Sequence, residues 1–149
     1  MKYVQSSSAY QQQMENRIFT KIQRILGPDL ISNKQVPVNS ADSIYIKPDF
    51  YSEERRIIGE IHTHRGRLKG AHPKKIAGDI LKMLLLDKAS QCEYSKYIVV
   101  CDQEEFDQLT GNNALAEAIR QFDIYVLLIP LDEKAHEELR EVMKKQSFL

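Results

Sequence analysis

Apolar residues Met14, Ile18, Ile22 and Ile25 recur at intervals of three and four, which predicts a helix over about residues 9–26. Gly27-Pro28 stops it, and the polar, Ser-rich Met1–Ser8 reads as a frayed lead-in before it. Val36–Val38 suits a short strand confined to an edge by Pro37. Two β-like runs follow, Ser43–Phe50 and Arg55–His64, joined by the polar Ser52-Glu53-Glu54 as a hairpin. Gly66 and Gly70 mark a loop, and Pro73 suits the first turn of a helix reaching about Leu86, with Ile76, Ile80, Met83 and Leu84 as its apolar stripe. Tyr97–Cys101 and Tyr125–Ile129 read as buried strands, separated by helical stretches at Gln103–Leu109 and Ala114–Phe122. Asp132 can cap a last helix ending near Gln146, with Lys144 and Lys145 at its negative end.

The order α-β-β-β-α-β-α-β-α predicts an α/β fold, a central mixed sheet in which an early antiparallel hairpin is extended by later parallel strands, with helices on both faces. A length of 149 residues fits one domain. The content, 42% hydrophobic and 28% charged, is that of a folded chain. The start has no apolar signal-peptide core, no apolar run approaches the ~18 residues of a membrane span, and Cys92 and Cys101 lack metal-type spacing, so free thiols and a cytoplasmic location without membrane contact are expected. The net charge of zero argues against a uniformly basic nucleic-acid binder and leaves room for a local patch.

Such a patch exists. No acidic residue stands between Glu60 and Asp79, whereas Arg65, Arg67, Lys69, Lys74 and Lys75 do, interleaved with His62, His64 and His72. Immediately before it lie two carboxylates. A hairpin centred between Glu54 and Arg55 sets Asp49 opposite Glu60, on one face, with Cβ atoms roughly 5 Å apart. Carboxylates that close repel unless protonated or bridged by a cation, and hard oxygen ligands suit Mg²⁺ or Mn²⁺. His62, two residues on, shares the face. A dicarboxylate beside a cationic loop is what phosphodiester hydrolysis requires: a metal to activate water, and Arg65, Arg67, Lys69 and Lys74 to hold phosphates. The same residues also read as a solvated hairpin and a solvated loop, and Asp49 after Pro48 as an ordinary turn. Glu60 inside Ile57-Ile58-Gly59-Glu60-Ile61 is an awkward place for an unpaired carboxylate.

Pro48-Asp49 and Glu60-Ile61-His62, separated by ten residues and followed by a helix, resemble the PD-(D/E)xK nuclease superfamily, of restriction-endonuclease-like fold. The segment 48–86 is similar to small bacterial proteins of that type. The resemblance implies a metal-dependent nuclease acting on DNA or RNA. It implies Asp49, Glu60 and the Ile61 carbonyl as metal ligands, with Glu15 on the first helix as an additional one. It departs at the motif Lys, which is His62 here. His62 then orients or deprotonates water, or Lys75 in the following helix, with Lys74 second, replaces the missing charge. If neither does, the fold is a nucleic-acid or protein binding module without cleavage. Gly59-Glu60-Ile61-His62-Thr63-His64 also resembles the HxH of JAB/MPN-type zinc metallopeptidases, although Lys75 stands where that family has its third ligand, an Asp. The late apolar positions Leu115, Ile119 and Phe122 suit a core or the surface of a homodimer. His136 carries no assignment.

Overall fold

The computed structural model describes residues 2–64 and 66–131, so the expected last helix, His136 and Arg65 lie outside the described residues. Helix α1 (Lys2–Leu26) includes the stretch expected as a lead-in. Ser and Gln cost a helix little once it is nucleated. Met14, Ile18 and Ile22 are buried as their spacing demands, while Ile25 is exposed and Leu26 packs instead.

The expected run Ser43–Phe50 is divided. β1 (Val36–Pro37) and β2 (Tyr45–Ile46) form a small antiparallel ribbon. β3 (Phe50–Ser52) pairs instead with β4 (Ile57–His62). Pro48, buried between them and without an N–H to donate, separates the two sheets. The hairpin turn spans residues 53–56, with Arg56 in the left-handed region at φ 54°. Its register pairs Phe50 with Gly59 and Ser52 with Ile57, which is the expected centre between Glu54 and Arg55.

Helix α2 (Ala71–Ser90) leads to β5 (Ser95–Val100), parallel to β4. Helices α3 (Gln103–Leu109) and α4 (Ala114–Gln121) lead to β6 (Ile124–Leu128), parallel to β5. Asp102 caps α3 by accepting from the Glu104 and Glu105 amides, and Asn113 caps α4 through Ala116. The main sheet therefore runs β3-β4-β5-β6, antiparallel at first and parallel after, as the element order predicts.

Alternation along β4 divides the core. Ile57 and Ile61 meet Met14, Ile18 and Ile22 of α1, and Ile58 meets Ile76, Ile80 and Met83 of α2. Leu109 of α3 and Ile119 of α4 join the α2 side, with Leu115 packed against it and Phe122 left exposed. Both cysteines are free thiols. Among the described residues no helix is long and apolar enough to cross a membrane.

Candidate active site

The chemistry gathers at the carboxyl end of β4, where parallel strands of an α/β sheet present their ligand-facing edge. β3 stops pairing at Phe50, which would leave the Ile61 amide bare. Asp49 Oδ2 accepts that N–H at 2.7 Å, so this carboxylate takes the place of a strand backbone and is fixed at the sheet edge. Glu60 lies one step beyond the Phe50–Gly59 pair and meets Asp49 in a side-chain hydrogen bond. Burial, then the charge of Asp49, that hydrogen bond and the charge of Asp79 push the Glu60 carboxyl far above the ordinary range, with Lys82 pulling weakly the other way. The pair is thus poised to hold a proton or a cation between its oxygens.

Glu15 reaches the same edge from α1. Burial raises its carboxyl first and the nearby Asp49 adds to that, while Lys75 and His62 act in the opposite direction. Glu15, His62 and Lys75 line one cleft of about 270 Å³. Its walls also include Met14 and Ile61, the loop residue Leu68, His64, His72, Glu105 and Leu131.

His62 is 9% exposed, and its Nε2 lies 3.3 Å from Asp79 Oδ2 without hydrogen-bond alignment. Asp79 belongs to the buried face of α2 with Ile76, Ile80 and Met83. The imidazole is therefore turned into the interface with α2, a different setting from a lysine aimed at a phosphate. His64 packs its ring against His72, centroids 3.9 Å apart, and the exposed His72 imidazole is held below its usual pKa by desolvation first and then by His64, His62 and Lys75.

The basic loop is anchored. Gln108 of α3 accepts the Leu68 N–H at 2.9 Å and donates to the Leu68 carbonyl at 3.2 Å, and Leu68 itself is buried. Arg67 lines a separate depression with Glu104 and Asp107, while Lys69 and Lys74 are exposed and outside the cleft lining. The structure thus sets Asp49 against Glu60, gathers Glu15, His62 and Lys75 in the adjoining cleft, and leaves Arg67, Lys69 and Lys74 outside it.

Three residues were missed by sequence reasoning: Asp79, Lys82 and Glu105. Glu105 has no exposed surface, and neither of its carboxyl oxygens has a hydrogen-bond partner among the described residues. Burial, and secondarily Asp102, push its carboxyl up to about 8. A legible signal existed for Asp79, which interrupts the apolar stripe of its helix at the i+3 position from Ile76.

Among the described residues no set of three or more His, Cys, Asp or Glu side chains converges as a metal-binding group. Mg²⁺ commonly uses only one or two carboxylates, its remaining positions being filled by water and phosphate. Neither a family model, a curated protein nor a solved structure matches the chain.

Proposed function

We propose that this chain is a divalent-metal-dependent phosphodiesterase acting on nucleic acid, of the restriction-endonuclease-like type. The observation that carries the reading is the contact between Asp49 and Glu60 beside a cleft lined by Glu15 and Lys75. Two half-buried carboxylates in contact, one of them held far from its ionised state, form a donor set that Mg²⁺ or Mn²⁺ relieves and a monovalent side chain such as Lys82 only partly offsets.

Asp49 and Glu60 would hold the metal, with Glu15 as the third carboxylate. When bound, such an ion supplies an acidified water and neutralises charge on the phosphate. The Ile61 amide fixes Asp49 through one carboxylate oxygen beside Glu60. Lys75, electrostatically linked to Glu15 in the same cleft, takes the part of the motif lysine and balances charge at the phosphate. His62, held against Asp79, positions α2, and with it Lys75, relative to β4. Lys69 and Lys74 attract the rest of the phosphate backbone from outside the cleft.

Calorimetric titration with Mn²⁺ tests the reading. Wild type binds one ion per chain, Asp49→Ala and Glu60→Ala do not, and cleavage of a mixed DNA and RNA panel falls at least about 10²-fold in both. Unchanged cleavage by both folded variants overturns it. The burial of His62 favours a second reading, a nuclease-like fold that binds without cutting. Its signature is salt-sensitive nucleic-acid binding that persists in EDTA, with no cleavage in Mn²⁺.

A further inference from the structure

A buried carboxyl normally has both oxygens satisfied, because an unmade hydrogen bond in a low-dielectric site costs its full desolvation. Among the described residues Glu105 breaks this rule twice over, with two bare oxygens and no exposed surface. It does so on the wall of the cleft that holds Glu15 and Lys75. Its helix is otherwise regular, capped by Asp102 and closed at Thr110, so local backbone geometry gives no account of the bare carboxyl. Buried groups left unpaired in this way concentrate at functional sites, where a bound group can satisfy them.

The cleft limits what that ligand is. About 270 Å³ lies just under the ~300 Å³ lower bound of sites for drug-sized ligands, so it admits one ring system rather than a chain. Met14, Ile61, Leu68 and Leu131 make part of its wall apolar, and the paired His64 and His72 rings offer flat surfaces. Imidazole is among the side chains on which unstacked bases lie. A carboxyl that keeps its proton offers a donor beside an acceptor, the complement of the hydrogen-bonding edge of every nucleobase. The burial that raises Glu105 to about 8 keeps that proton in place at neutral pH. The terminal torsion of Glu is soft, so the carboxyl can turn toward an edge without moving α3.

We infer that this cleft receives one unstacked nucleobase, paired through the Glu105 carboxyl and faced by the His64 and His72 rings. The inference rests on the phosphodiesterase reading for the chemistry beside it, and makes the substrate single-stranded or locally unpaired. Glu105 is a binding residue, and the base it holds fixes the adjoining phosphate near Lys75.

The test uses the full chain in EDTA, so that it does not depend on metal. Adenosine and uridine 5′-monophosphates are titrated beside ribose 5-phosphate, which has the same phosphate and no base. Both nucleotides bind at least about tenfold more tightly than ribose 5-phosphate. Glu105→Leu brings them to the ribose phosphate level, whereas Glu105→Gln, which keeps a donor and an acceptor, stays within about threefold of wild type. Removing a bare buried carboxyl does not threaten the fold, and circular dichroism of both variants checks this. Ribose 5-phosphate binding as tightly as the nucleotides, no nucleotide binding at millimolar concentration, or a folded Glu105→Leu equal to wild type each overturns the inference. If Mn²⁺ binds and nucleotides do not, the base site alone fails; if nucleotides bind and Mn²⁺ does not, the metal reading alone fails.

Discussion

The two ends of the main sheet bury ionisable side chains in opposite ways. At the amino end of β5, Lys96 is 2% exposed and fully engaged: Nζ lies 2.5 Å from Asp87 Oδ2 and donates to the Tyr94 carbonyl at 2.9 Å. Asp87 Oδ1 accepts the Tyr94 amide, and the Tyr94 hydroxyl meets that of Tyr51, 3.1 Å away, beneath stacked rings. At the carboxyl end, Glu60 shares its space with another carboxylate, and among the described residues His62 Nε2 has no aligned partner and Glu105 is bare. Burial is comparable at both ends, and only the satisfaction of the polar groups differs. One end is built for stability, and the other retains unfavourable electrostatics that a bound group would relieve.

The largest effect belongs to the satisfied end. Lys96→Met strands Asp87 Oδ2 and lowers stability by about 3 kcal/mol in urea unfolding. A loss below about 1 kcal/mol would erase the distinction between the ends. The next effect belongs to the other end and concerns pH. The Glu105 carboxyl loses its proton near 4.5 when unfolded and near 8 when folded. Between those values the unfolded chain holds fewer protons than the folded one, so stability falls as pH rises through the window, by at most about 1.4 kcal/mol per unit. Glu60 adds a fall of the same sign. Glu105→Gln flattens the metal-free profile between pH 5 and 8, as read from urea midpoints; an unchanged slope would mean that Glu105 ionises normally. The smallest effect lies at the surface, where Arg55 holds the Asp29 carboxyl down to about 2 through hydrogen bonds of 2.9 and 2.6 Å. Here the sign reverses: the contribution is present above the ordinary 3.8 and is lost as pH falls through about 2. Arg55→Ala lowers the neutral midpoint of thermal unfolding only slightly, and its difference from wild type fades as pH falls through about 2.

The satisfied end was largely illegible in the sequence, and the unsatisfied end partly legible. A hairpin turn of polar residues between apolar runs fixes a register, and with it the opposition of Asp49 and Glu60, because side-chain period and turn centre determine each other. Helix spacing brought Glu15 near the same edge, beside buried Met14 and Ile18. Lys96 and Asp87 are nine residues apart across a helix end and a loop, and no local pattern pairs them. Glu105 shares a helix face with Leu109, four residues on, but a seven-residue helix with several charges has too little periodicity to single it out. The basic loop misled in a different way. Charge density along the chain is no guide to direction, and Gln108, an uncharged residue forty positions on, decides how residues around Leu68 lie.

Gly59 carries a consequence for descent. A Cβ at this position would stand 2.0 Å from Cζ of Phe50, since the aromatic ring lies directly on the glycine across the β3–β4 pair. The next residue outward on each strand is Asp49 on one and Glu60 on the other. Any lineage that enlarges residue 59 must first shrink residue 50, and the order of the two substitutions is constrained because the reverse order passes through a clash. The two positions are thus coupled by packing, immediately beside the carboxylate pair.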